Sequence, residues 1–219
     1  MPEPNKPPEA LRIERELVRG WLHEPHEPEG AQRKQGLVIT HGAGSNCDSP
    51  LLVAVATAFA AAGFAALRCD LPYRQLKPKG PPLFGGSARD REGLRRAAQF
   101  MREIAGDVIL GGHSYGGRQA SILAAEDPAV AEMLLLLSYP LHPPRKREQL
   151  RTAHFPGLLT PALFIHGTRD AFGLIEEMQE AIELIPARTK LMPVEKAGHE
   201  LSLPIAPAIL RETECFVNG

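Results

Sequence analysis

Three residues of this chain have the types and the order that acyl-transfer chemistry requires. The run Gly112-His113-Ser114-Tyr115-Gly116 sets one serine between glycines at plus and minus two. A nucleophile projecting from the tip of a strand needs a sharp strand-to-helix turn. The serine backbone is then strained, and its neighbours must lack side chains. A serine hydroxyl alone is a weak nucleophile; it needs a base, and the base needs an orienting acid. Downstream, "LFIHGTRDAF" presents Asp170 and "VEKAGHELS" presents His199, in the order Ser, Asp, His. Either residue alone reads as a turn aspartate or a solvated histidine. Their order, their flanking glycines and their place after strand-like runs favour one constellation. Asp107 and Asp127 are poorer acids, since one begins a strand pattern and the other ends a helical one. A phosphate-binding glycine turn fits less well: there is no G-x-G-x-x-G, no Walker lysine and no acid ending the next strand, "LLLLSYP".

A tetrahedral intermediate also needs two preorganised donors for its oxyanion. The amide of Tyr115, the residue after the serine, supplies one. The loop "THGAGSN" (40–46) supplies the other, with Ala43 the first choice and Gly44 the second. Gly42 and Gly44 would let that backbone turn its amides inward.

The elements that must position these groups alternate in type. Leu11 to Leu22 reads as an edge strand or hairpin, and "GLVIT" (36–40) as a short strand. Helix-start chemistry follows, with Asp48 or Ser49 as cap, Pro50 in the first turn and Gly63 as the stop. "FAALRCDLP" is a strand, and Tyr73 to Ser87 a Pro/Gly-rich basic loop. Residues 87–106 carry Leu94, Ala97, Ala98, Met101 and Ile104 on one helical face. "DVILGG", "VAEMLLLLSYP", "PALFIHG" and "TKLMPVE" are strands; "SYGGRQASILAAED", "GLIEEMQEAIELI" and "PIAPAILRETECFV" are helices. Such alternation predicts right-handed crossovers and a mostly parallel sheet of about seven to eight strands with helices on both faces. Residues 1–10 are expected to be a flexible tail and 11–219 a single α/β domain.

With 219 residues, 43% hydrophobic and 23% charged, the chain is ordinary for a globular protein. Its net charge of −1 gives no global pull toward nucleic acid or an anionic membrane. Cys47, Cys69 and Cys215 are widely spaced, which argues against a disulfide framework or a zinc site and fits a reducing cytosol. The Pro-rich, charged start is neither a signal nor a transit peptide. Leu51 to Leu67 reads as a buried helix and a strand, not a membrane span.

With "HGAG" at 41–44, "GHSYGG" at 112–117, "GTRD" at 167–170 and "AGHE" at 197–200, the chain resembles the α/β-hydrolase superfamily. The likeness runs from about residue 11 to 217. It is similar to the small lidless branch related to dienelactone hydrolases. The resemblance implies an α/β-hydrolase fold with no large cap, a Ser114–His199–Asp170 triad, and hydrolysis of an acyl substrate with no cofactor and no metal. Dienelactone hydrolases carry a cysteine nucleophile where this chain has Ser114, which argues against a dienelactone substrate. Larger lipases insert a helical cap after the sixth strand; Pro140 to Thr160 is too short to build one. The expected site is shallow and open, suited to short-chain or polar esters or thioesters, or to a large partner that completes the pocket. His41, Tyr73, Tyr139 and His142 follow strands and are candidate pocket residues, with Arg74 beside them. "PPRKRE" (143–148) with Arg151 forms a basic segment, read as a solvated excursion or as a reader of an anionic substrate group. His113 is expected to pack locally, His41 and His166 to bond loop backbone, and Cys69 to be a buried inert thiol. Two other readings share these residues: a non-catalytic scaffold that keeps the fold, and an acyltransferase using the same acyl-enzyme.

Overall fold

The computed structural model describes residues 10–25, 35–82 and 84–219. The expected tail lies outside these residues except for Ala10, as does most of the polar turn after His23. One eight-stranded sheet runs in the order β1-β2-β4-β3-β5-β6-β7-β8. Strands β1 (Leu11–Arg15) and β2 (Val18–His23) form an antiparallel hairpin that turns at Leu17, whose φ is 61°. Strand β2 pairs antiparallel with β4 (Ala65–Asp70). Strands β3 (Gln35–Thr40), β5 (Asp107–His113), β6 (Met133–Leu137), β7 (Ala162–Gly167) and β8 (Thr189–Val194) continue in parallel.

The parallel strands are apolar on both faces, and their alternation feeds two cores. Val38, Val108, Leu110, Leu134, Leu136 and Phe164 face helices α3 (Ser87–Ala105), α4 (Tyr115–Glu126) and α5 (Ile175–Ile182). Leu37, Ile39, Ile109, Leu135, Leu137 and Ile165 face α1 (Pro50–Ala61) and α6 (Ala206–Asn218). Period-two side-chain alternation divides each strand between the layers. Helix α1 is apolar on most sides because it packs between the sheet and α6. Of its two candidate caps, Ser49 accepts from the Leu52 amide at 3.4 Å, while Asp48 pairs instead with Arg68 at 2.6 Å.

Two elements differ from the expected pattern. The stretch read as a loop from Tyr73 begins as a short helix, α2 (Pro72–Leu76). Pro72 presets the first helical φ, and five residues are too few to display a helical period. The strand read over 130–140 is confined to Met133–Leu137, preceded by a 3₁₀ turn at Pro128–Val130 and closed by Ser138 at φ 48°. Between β6 and β7 the chain forms a 3₁₀ turn at Phe155–Gly157 and no helical cap.

His23 ends β2 and is 7% exposed. Its Nε2 accepts from Arg68 Nε at 3.0 Å, so that nitrogen is unprotonated. Burial, then the Arg68 charge, pushes its pKa from 6.5 down to about 4. A folded-state value below the unfolded one contributes stability that is full above 6.5 and is lost as pH falls toward 4. Urea midpoints should therefore drop through that window. In His23→Gln, whose amide oxygen can still accept from Arg68, the fall should be shallower by about 1 kcal/mol per pH unit.

Candidate active site

The topology reverses at β3, whose sequence successors β4 and β5 lie on opposite sides of it. A crevice opens at the carboxyl ends of strands at such a point. The loop after β3 and the turn after β5 flank it. Ser114 joins β5 to α4 with φ 51° and ψ −116°. Its amide donates to Leu137 O at 2.8 Å, and its carbonyl accepts from the Arg118 amide at 3.0 Å. A Cβ on Gly112 would lie 2.7 Å from Thr40 O and 2.9 Å from the Gly117 nitrogen. A Cβ on Gly116 would lie 2.6 Å from His41 O. Both glycines are thus required by close backbone approach. Gly44 is different: nothing lies within 4 Å of the Cβ it lacks. Neither Gly42 nor Gly44 adopts a positive φ. The loop turns without a left-handed residue.

The three predicted residues meet. His199 Nε2 lies 2.8 Å from Ser114 Oγ, and His199 Nδ1 lies 2.8 Å from Asp170 Oδ2. The other carboxylate oxygen, Asp170 Oδ1, accepts from the Phe172 amide at 2.8 Å. A carboxylate acceptor at Nδ1 places the ring proton there and turns the Nε2 lone pair toward the serine. Asp170 is fully buried. The Phe172 ring lies against the imidazole, with centroids 4.2 Å apart.

Neutral histidines bracket this group. His113 Nε2 donates to His199 O at 3.0 Å, and burial lowers its pKa. His166 Nε2 donates to Gly173 O at 2.8 Å, holding the loop that carries Asp170, and burial lowers its pKa too. His41 accepts from the Leu71 amide at Nε2, so Nδ1 carries the proton and donates to Gly42 O at 2.8 Å. Burial pushes His41 down to about 4.

Ala43 and Gly44 line a cleft of about 630 Å³ together with Ser45, Ser49, Pro50, Leu51, His113, Ser114, Phe172, His199, Glu200, Leu201 and Leu203. Tyr115 opens α4, where the first amides have no intrahelical partner. Four candidate pocket residues lie elsewhere. His41 is buried under the loop it braces. Tyr73 is buried, with its hydroxyl on Ala43 O at 2.8 Å. Tyr139 is buried among Phe155 and Phe164 and donates to Arg151 O. His142 is buried beside Glu177. Each follows a strand, but buried backbone carbonyls or a carboxylate offered a partner inside the fold. The basic segment is likewise away from the cleft: Arg147 faces Glu177 at 3.5 Å, and Arg151 donates to Pro140 O. Among the described residues, no group of three or more His, Cys, Asp or Glu side chains is arranged to hold a metal ion.

Asp90 was absent from the candidates read in the sequence. It is fully buried, and it accepts from the Tyr73 amide at 3.0 Å and from Tyr115 Oη at 2.8 Å. Burial raises its pKa and, with Asp90 beside it, that of Tyr115. A signal existed: Asp90 stands four residues before Leu94, on the apolar stripe of α3. Gly112→Ala should destabilise the fold by about 1–3 kcal/mol, as overpacking against backbone does. Gly44→Ala should change stability by less than about 0.5 kcal/mol. Urea denaturation of both variants checks the contrast.

Residues 33–209 match the family model described as an alpha/beta hydrolase domain. The fold is similar to that of a dienelactone hydrolase from Anabaena variabilis (TM-score 0.75, 23% identity, 97% of this chain and 99% of that one). It is similar to Est1E from Butyrivibrio proteoclasticus (TM-score 0.73, 15% identity, 96% of this chain and 100% of that one). It is also similar to a lidless α/β serine hydrolase from Xanthomonas campestris (TM-score 0.67, 16% identity, 98% of each chain). With the model spanning most of its length and the strand order above beneath it, this chain belongs to the α/β-hydrolase family.

Proposed function

We propose that this hydrolase is a serine-dependent acyl hydrolase of the carboxylesterase type. The observation that carries the reading is the unbroken hydrogen-bond chain from Ser114 Oγ through His199 to Asp170, at 2.8 Å on each side. Ser114 Oγ attacks the acyl carbonyl while His199 Nε2 takes its proton. Asp170 keeps the proton on Nδ1 and stabilises the imidazolium. The amides of Tyr115 and Ala43, with Gly44 beside it, receive the oxyanion. His199 returns its proton to the leaving group, and an ester links the acyl group to Ser114. Water, activated by the same imidazole, then attacks this ester and releases the acid.

Cleft chemistry narrows the substrate. Pro50, Leu51, Phe172, Leu201 and Leu203 offer an apolar wall for a short acyl or alcohol group. Among the described residues lining the cleft, Glu200 carries the one formal charge of a carboxylate, and no Lys or Arg lines it. An acyl group bearing a carboxylate finds no counter-charge there and meets Glu200. Small neutral esters or thioesters fit best, in place of the anionic group that the basic segment raised. The buried thiols Cys47 and Cys69 are free, in keeping with a reducing cytosol as the compartment of this reaction.

A fluorophosphonate probe should label the wild type and leave Ser114→Ala unlabelled. Ester turnover should fall by about 10⁴-fold or more in Ser114→Ala and in Asp170→Asn. Labelling retained in Ser114→Ala would overturn the nucleophile assignment, and an inert wild type would favour the scaffold reading. A neutral p-nitrophenyl ester should also be preferred over its hemisuccinate counterpart. Glu200→Gln should narrow that preference about fivefold, the worth of roughly 1 kcal/mol of repulsion across solvent-lined space. The ratio of kcat/KM values for the two esters reads it directly.

A further inference from the structure

Arg74 is 3% exposed, and its side-chain hydrogen bonds end on backbone carbonyls. Nε donates to Ser45 O at 2.7 Å, and Nη1 to Lys77 O at 2.9 Å. Nη2 donates to Ala43 O at 3.0 Å and to Gly80 O at 2.9 Å. Two of these acceptors belong to the loop after β3. Burying a charge is costly unless its donors are satisfied. Here a planar fork satisfies them on a stretch of irregular chain, a task for which an ammonium has neither the shape nor the reach.

We propose that Arg74, assisted by Tyr73, is the positioning residue that aims the oxyanion-binding amides of the 42–44 loop. This rests on the acyl-transfer reading above for its consequence, though not for its geometry. A trans peptide is planar, so its N–H points opposite its C=O. The peptide joining Ala43 to Gly44 has its carbonyl held by Tyr73 Oη at 2.8 Å and by Arg74 Nη2 at 3.0 Å. Its N–H, that of Gly44, therefore faces away from α2. The peptide joining Gly42 to Ala43 has its carbonyl held by His41 Nδ1 at 2.8 Å and the Ser45 amide at 3.1 Å, with Tyr73 Oη at 3.3 Å. Its N–H, that of Ala43, is aimed by the same rule. Donors on a carbonyl also polarise the amide of the same peptide, and a cationic donor does so most. Asp90 ties this assembly to the nucleophile turn, since it holds the Tyr73 amide and the Tyr115 hydroxyl together. Both sources of oxyanion donors thus lean on one short helix, α2.

The test compares wild type, Arg74→Lys, Tyr73→Phe and Gln75→Ala in the full chain. Gln75 lies on the same turn, but its amide donates to Leu17 O and Asp70 O, away from the loop. With p-nitrophenyl acetate, Arg74→Lys should lower kcat about tenfold and leave KM within about twofold. The Ki of a trifluoromethyl ketone, whose adduct places an oxyanion on these amides, should rise by the factor by which kcat/KM falls. Tyr73→Phe should show the same pattern at about threefold, which keeps the test available if Arg74→Lys does not fold. Gln75→Ala should match wild type. Amide hydrogen exchange of a 41–46 peptide should quicken about tenfold in Arg74→Lys, with 107–112 unchanged. Unaltered kcat and Ki in a folded Arg74→Lys, or losses that track only the folded fraction, would overturn the proposal. So would unaltered exchange at 41–46. If the wild type neither turns over ester nor takes the fluorophosphonate, the acyl-transfer reading fails, and the exchange result alone decides whether Arg74 holds the loop.

Discussion

The backbone of Ser114 is the constraint on which the rest depends. A non-glycine residue at φ 51° and ψ −116° sits outside the broad allowed regions and costs about 1–3 kcal/mol. It persists only because its surroundings determine it on every side. Leu137 O takes its amide, the first turn of α4 takes its carbonyl, and two glycines let β3 and α4 approach β5 within van der Waals limits. The result is a hydroxyl at the tip of the central strand, next to a helix start whose free amides face the same space. The sheet order then does the remainder. Strands β7 and β8 deliver Asp170 and His199 to that rim from two and three strands away.

A second principle runs through the polar groups below the rim. His41, His113 and His166 are held uncharged by burial, and each fastens a loop through a carbonyl. A neutral imidazole offers one donor and one acceptor in fixed directions without the solvation cost of a charge. Arg74 and Asp90 are charge-bearing side chains buried beneath the 42–45 loop and the turn at Ser114. Both are surrounded by complementary donors or acceptors, and both touch the elements that carry the proposed oxyanion amides. Rigidity is concentrated where a displacement of about 1 Å would matter most.

The cleft itself follows from what the chain omits. Without a cap between β6 and β7, the walls come from α1's first turn, from Phe172 and from the 200–203 segment. These walls are mostly apolar, with the Phe172 ring and the Glu200 carboxylate among them. They bound a space of about 630 Å³, within the ordinary range of small-molecule sites.

Local residue chemistry was enough to specify several features of this protein. The glycine spacing around Ser114, the helix start at Ser49-Pro50 and the apolar runs of β3, β5, β6 and β7 are short-range signals. They name the strands, the turn at Ser114 and, through chain order, the residues that meet it, Asp170 and His199. What lay beyond their reach shares one cause. Whether Tyr73, Tyr139 and His142 face a cleft or a buried partner depends on which distant backbone arrives opposite them, and a strand end reads the same in either case. Helix α2 is too short to show a period. The fork of Arg74 on the 43–45 loop and the bridge of Asp90 between two tyrosines join groups that neighbouring strands bring together only after the sheet has formed. Sequence determined which groups are candidates for chemistry; tertiary structure decided which polar groups hold them still, because that depends on partners far along the chain.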